Sequence, residues 1–128
     1  MGLGGFVAIG GGAALGAWLR WWLGIQLNAL LPSLPLGTLV ANLLGGYLIG
    51  LAVALIDRHA SLPPEVRLLV ITGFLGGLTT FSSFSAEVAT RLGEAEFAWA
   101  ALAVSAHVCG SLLLTGLGFL TVRLLPGG

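Results

Sequence analysis

Apolar residues fill this chain in four long runs, and the prolines and most charges fall between them. The first run covers about residues 3–31 and stops at Pro32-Ser33-Leu34-Pro35. The second covers about 36–56 and ends at Asp57-Arg58-His59. A short polar link, 60–64, leads to the third, about 65–91. Gly93-Glu94-Ala95-Glu96 separates that run from the fourth, about 97–125. A membrane-spanning helix needs about 20 apolar residues, and each run is long enough. The pattern predicts an all-α integral membrane protein with four transmembrane helices and a single domain over residues 1–128. The loops leave no room for a soluble domain.

Composition strengthens that reading. The chain is 57% hydrophobic and 8% charged over 128 residues, and 21 more residues are Gly. A soluble domain carries about a quarter charged residues; five Arg, no Lys and five acids cannot keep this surface in water. Zero net charge without a basic cluster excludes a nucleic-acid partner. One Cys excludes a disulfide framework or a thiolate metal site, and Cys109 is expected to be an inert buried thiol. No Lys or Arg precedes the first apolar run, unlike a secretory signal with its positive n-region.

Orientation follows Lys and Arg in short loops. One side would hold Arg58, Arg67 and Arg123, and the other Arg91 with Arg20, three against two. Such a balance suits either a weakly N-in, C-in protein or a chain that inserts both ways and dimerises antiparallel. Gly12/Gly16, Gly46/Gly50 and Gly73/Gly77 form Gly-x-x-x-Gly pairs, the spacing that lets helix backbones approach closely in lipid. Four spans enclose little space alone, so a polar path calls for a second copy.

Polar residues inside a membrane are costly and point to function. The third run reads GFLGGLTTFSSFS from Gly73 to Ser85. Gly and Thr are weak helix formers, and a break near Gly76 to Thr80 is the preferred reading. The alternative is a continuous helix whose Ser and Thr bond back to their own backbone. A break would aim the N–H groups of a half-helix starting near Thr80 at the gap, while the Gly76 and Thr79 carbonyls would suit a hard cation. Phe81 and Phe84 share one helix face, Ser82 and Ser85 the adjoining one. Ring edges are electropositive, so this pair beside hydroxyls can pass an anion; the plainer reading is core packing. Asn42, four residues after Thr38, offers two N–H donors; the plainer reading is an interhelical bond of about 0.6 kcal/mol. His107, Ser111 and Thr115 form one stripe on the fourth span, and His107 reads as a hydrogen-bonded buried imidazole. Arg20 and Glu87 lie closest to span interiors: Arg20 either snorkels to the interface or draws anions into a vestibule, and Glu87 either ends the third helix or faces the aqueous entrance.

These motifs carry a resemblance. GAWLR at Gly16–Arg20, GTLVANLLG at Gly37–Gly45 and GFLGGLTTFSSFS followed by Glu87 resemble the GAxxR, GTLxxNxxG and GFxGGxTTFSxFSxE of Fluc (CrcB-type) fluoride channels. The match spans all four segments in order. It implies an antiparallel dual-topology homodimer in the bacterial inner membrane that passively exports fluoride ion through two pores. It further implies a structural sodium ion held by carbonyls at Gly76 and Thr79 of both subunits, and pore-lining roles for Asn42, Phe81, Ser82, Phe84 and Thr115. Ser85 is a further candidate donor, and Arg20 and Glu87 are candidates for the vestibule. A small multidrug exporter would need an acid in the first span, which has none. An enzyme is excluded by the want of a nucleophile–base constellation.

Overall fold

The computed structural model describes residues 2–127, and all regular structure in it is helical. α1 is Leu3–Leu27 and α2 is Leu36–Arg58. α3 runs over 64–78 and joins an α-turn at Pro64–Arg67, a π-helical stretch at Leu68–Leu75 and a last turn at Gly76–Leu78. α4 is Phe81–Gly93 and α5 is Phe97–Leu124. Four segments are long and apolar enough to cross a membrane, the third comprising α3 and α4 together.

The boundaries have local causes. α1 gives way to a 3₁₀ turn at Asn28–Leu30, short of the two prolines. Asn28 then reaches back over the chain, and its Oδ1 accepts the N–H groups of Gly37 (2.7 Å) and Thr38 (3.3 Å). It thereby satisfies two of the donors that a helix start leaves orphaned. α3 opens with Pro64 in its first turn and Glu65 beside it, where the missing N–H and the negative charge are both favourable. At the end of α4, Arg91 bridges Glu94 (3.1 Å) and Glu96 (3.0 Å) across a turn in which Ala95 has φ 58°. The π-helical stretch is a departure that the hydropathy pattern does not carry.

Glycine decides how the helices pair. α1 lies on α3 and α2 on α5. A Cβ at Gly16 would meet the Phe74 carbonyl and the Leu78 nitrogen, and one at Gly73 would meet the Ile9 carbonyl. A Cβ at Gly50 would meet the Thr115 carbonyl, and one at Gly118 the Tyr47 carbonyl. The Gly-x-x-x-Gly pairs are therefore seams within one chain, where bare backbones touch. The buried core is small and includes Leu23, Ala41, Leu75 and Leu78. Large apolar side chains such as Phe6, Trp18, Trp21 and Leu112 lie on the outside, the arrangement expected of a protein whose solvent is lipid.

Candidate functional site

Two extended residues separate α3 from α4: Thr79 (φ −85°, ψ 154°) and Thr80 (φ −149°, ψ 114°). Each threonine finishes a helix. The Thr79 N–H and hydroxyl both donate to the Leu75 carbonyl, at 3.0 and 2.8 Å. The Thr80 hydroxyl accepts the Ser83 N–H at 3.1 Å, an N-cap of the usual kind. Gly45 of α2 leaves room for the Thr79 methyl, which a Cβ there would strike. Gly76, expected to be unwound, is instead helical (φ −62°, ψ −37°) and exposed. The helical backbone persists to Leu78, because the bond from Thr79 to Leu75 closes one more turn. Among the described residues, the carbonyls of Gly76 and Thr79 nevertheless accept no hydrogen bond.

Asn42 grips the interruption from α2. Its Oδ1 accepts the Thr80 N–H at 2.8 Å, and its Nδ2 donates to the Thr80 carbonyl at 3.0 Å. The same Nδ2 lies 3.0 Å from His107 Nδ1. An amide nitrogen has two protons, so both are engaged within this chain. This is the interhelical bonding of the plainer reading, and within one chain it leaves neither amide proton for an ion. His107 is buried and hydrogen-bonded as expected; among the described residues its buried Nε2 has no partner.

A groove of about 550 Å³ opens on one side of this region. α2 supplies Asn42, Gly45 and Gly46, and α3 supplies Leu75 and Gly76. The extended link supplies Thr79 and Thr80, α4 supplies Phe81 and Phe84, and α5 supplies His107, Ser111 and Thr115. Phe84 is buried, with Phe81 edge-on to it at a 5.6 Å centroid separation and 71°, and His107 is 4.5 Å away on another side. Phe81 is 78% exposed, so the pair is unequal in a single chain. The Thr115 hydroxyl lies 2.8 Å from the Gly46 carbonyl and 2.9 Å from that of Ser111. The expected serines are less engaged: Ser82 Oγ lies 3.3 Å from Thr80 Oγ1, and both Ser82 and Ser85 are exposed and outside the groove.

The two interior charges do not meet. Arg20 of α1 donates from Nε to the Gly77 carbonyl at 3.1 Å, in the last turn of α3, where a cation also suits the helix dipole. Glu87 accepts from the Thr38 hydroxyl at 2.6 Å. It lines a separate cavity of about 200 Å³ with Pro32, Pro35, Thr90 and Arg91. A mouth built from Glu87 would therefore draw on Arg91 in place of Arg20. Cys109 is exposed, not buried as expected, because α5 turns that face away from α2. Among the described residues no three His, Cys, Asp or Glu side chains come together, so a cation here would depend on carbonyl oxygens. Asn28 is the residue that sequence reasoning passed over. Thr80, His107 and Arg91 were singled out by position or spacing, but their partners were not.

Comparison with known proteins bears on the same residues. The family model described as "CrcB-like protein, Camphor Resistance (CrcB)" matches residues 7–119. A protein of Cupriavidus taiwanensis is 63% identical over 121 residues, covering 94% of this chain and 96% of its own length. One of Nitrosospira multiformis is 59% identical over 123 residues, covering 96% of both. One of Ralstonia pickettii is 65% identical over 119 residues, covering 93% and 94%. All three carry the name fluoride-specific ion channel FluC.

Proposed function

The chain belongs to the CrcB-like protein family, and on that premise we propose that it is a passive, fluoride-selective channel of a bacterial inner membrane. It is not an enzyme. The observation that carries this reading is the groove, which brings two Phe rings, the Thr79–Thr80 interruption and the hydroxyls of Ser111 and Thr115 to one open wall. Fluoride is small, hard and strongly hydrated, so its path must supply weak donors in sequence as water is stripped. The positive edges of Phe81 and Phe84 and the Ser111 hydroxyl lie in the groove, and the exposed hydroxyls of Ser82 and Ser85 extend the series outside it. Thr115 lines the wall with its one proton already held by backbone carbonyls. Asn42 stands behind it, its own donors committed to Thr80 and His107. Conduction needs sites that an ion can leave, and none of these groups carries a full charge.

The groove is open on one side, and a second copy of the chain closes it. The near-equal division of Arg across the two sides favours antiparallel insertion, which gives two equivalent pores. The third span then acts as two half-helices meeting at the dimer centre. Gly76 is exposed in the groove wall, and among the described residues its carbonyl is without a donor, as is that of Thr79. Four such oxygens from two chains fit a sodium ion, a hard cation that takes oxygen ligands. Its part would be structural, neutralising the carbonyl ends of the two half-helices. Net export follows from acid chemistry: HF crosses membranes neutral and dissociates inside. The trapped anion then leaves down a potential worth about 2.3 kcal/mol per charge per 100 mV.

Efflux from liposomes, read with a fluoride electrode, tests the proposal. Fluoride should leave rapidly and electrogenically, chloride and a quaternary ammonium ion should not, and a sodium gradient should neither drive nor reverse the flux. Chloride efflux at the fluoride rate would overturn the selectivity. Flux reversing with the sodium gradient at zero voltage would make the protein a symporter.

A further inference from the structure

We infer that Asn42 is a positioning residue that keeps the third span interrupted: by taking the Thr80 N–H, it leaves the Gly76 carbonyl free to face a cation. The inference rests on the sodium reading proposed above for that carbonyl. Helix geometry supplies the argument. If α3 continued by one residue, the Thr80 N–H would donate to the carbonyl four positions back, which is that of Gly76. The last helical bond is instead Thr79 N–H to the Leu75 carbonyl at 3.0 Å. The next donor, Thr80 N–H, goes to Asn42 Oδ1 at 2.8 Å.

The carboxamide suits this task and few other side chains do. An extended residue presents its N–H and C=O on the same side, as in a hydrogen-bonded antiparallel pair. Thr80 is extended, and the Asn42 amide, with an acceptor and a donor side by side, meets both of its groups at 2.8 and 3.0 Å. Asn42 stands in for a neighbouring strand that the membrane does not provide. Its second proton, on His107 Nδ1, fixes the amide rotor from α5. That contact also makes Nδ1 the acceptor, which leaves the imidazole proton on Nε2. From the other side, Arg20 occupies the Gly77 carbonyl at 3.1 Å. Neighbouring carbonyls are thus sorted by their partners: Gly77 is taken, and Gly76 and Thr79 are left open.

The test uses the full chain purified in detergent, with thermal unfolding followed against sodium concentration and potassium as the control cation. Amide exchange at Thr80 is read alongside by NMR. Asn42→Leu removes the competing acceptor, so the Thr80 N–H returns to Gly76. The sodium concentration for half-maximal stabilisation should rise about tenfold, the equivalent of one hydrogen bond. Asn42→Asp keeps the acceptor for the Thr80 N–H, gives up the donor to the Thr80 carbonyl and adds negative charge. Its half-point should stay at or below that of the unmodified protein, although a carboxylate beside the groove stops anion flux. An unchanged half-point in Asn42→Leu, with flux lost at saturating sodium, would overturn the inference and make Asn42 a direct ion contact. If sodium does not stabilise even the unmodified protein, the sodium reading fails, and with it the cation half of the inference. The grip on Thr80 is then judged by exchange. A Thr80 amide that exchanges slowly and shows a hydrogen-bond scalar coupling to the Asn42 side chain, moved to the Gly76 carbonyl in Asn42→Leu, supports it. An amide that exchanges freely, or already couples to Gly76 in the unmodified protein, overturns it. Should Asn42→Leu not fold, a Thr80 amide that exchanges freely in the unmodified protein would overturn the inference without any variant.

Discussion

Along the seam between α1 and α3, Gly16 lies where a Cβ would strike the Phe74 carbonyl and the Leu78 nitrogen. At Thr79 and Thr80, immediately beyond, the backbone is instead held by side chains from two other helices, Arg20 on Gly77 and Asn42 on Thr80. In the seam bare backbones of two helices meet, so the absence of side chains is what matters and contact is by dispersion. At the interruption the helical pairing stops, and each exposed N–H or C=O needs a named partner or an ion, since hydrocarbon offers none. The first region sets distance, and the second sets which polar groups stay available. The seams are complete within one chain, whereas the groove beside the interruption is open on one side.

The largest effect should come from filling a seam. Gly16→Val forces apart two backbones that cannot yield, at about 3 kcal/mol or more, and should abolish recovery of folded protein on size exclusion. Gly93→Ala, at the end of α4 with nothing within 4 Å, should stay within about 0.5 kcal/mol of the unmodified protein. If both variants behave alike, close approach is not what the glycines are for.

Next comes the open side. Adding two Lys to the 60–64 link biases insertion one way. Liposome flux should then fall to background for that variant alone and return when it is co-expressed with an oppositely biased one. Normal conduction by a single-topology protein would mean that parallel copies, or one chain, suffice.

The rings beside the interruption come third. Phe81→Ile and Phe84→Ile keep apolar volume at less than about 1.5 kcal/mol but remove the positive ring edge. Fluoride efflux should drop at least about tenfold, equivalent to one weak polar contact, while the protein stays monodisperse. Phe84→Ile should lose more stability than Phe81→Ile, because Phe84 is buried and Phe81 is 78% exposed in the chain. Met, being polarizable, should retain more flux than Ile. Wild-type rates in both Ile variants would reduce the rings to packing residues.

The smallest effect is the cap. Thr80→Val deletes the oxygen that accepts the Ser83 N–H and should lower stability by about 1 kcal/mol, read as a drop in melting temperature. The Asn42–Thr80 backbone pair should survive, since it does not use the hydroxyl. A larger loss would show that the cap, not the carboxamide, holds the interruption.

Much of this was legible in the linear chain because it depends on neighbours. Charges and prolines divide four apolar runs, and the observed helices start and stop within a few residues of those marks. The glycine spacing announced close seams. His107, Ser111 and Thr115, one stripe by spacing, all line the groove. Other features were out of reach. Asn42 read as a donor for an ion because its type and depth were visible, whereas its partners Thr80 and His107 lie 38 and 65 positions away. Arg20 read as a vestibule charge, yet the carbonyl it reaches is 57 positions away. Cys109 read as buried, but a helix apolar on all sides does not say which side faces its neighbour.

The sequence by itself determined that this chain lives in lipid, that it crosses four times, that small residues set its helix spacing and that the third span is locally weak between Gly73 and Ser85. Those are properties of composition and short spacing, which hydrocarbon reads directly. Only the tertiary structure decided that Gly76 keeps its helical backbone while losing its donor, that Thr80 gives its N–H to α2 and that Arg20 takes the neighbouring carbonyl. A hydrogen bond needs about 3 Å and the right direction, and the crossing of helices joined by long stretches of chain supplies both.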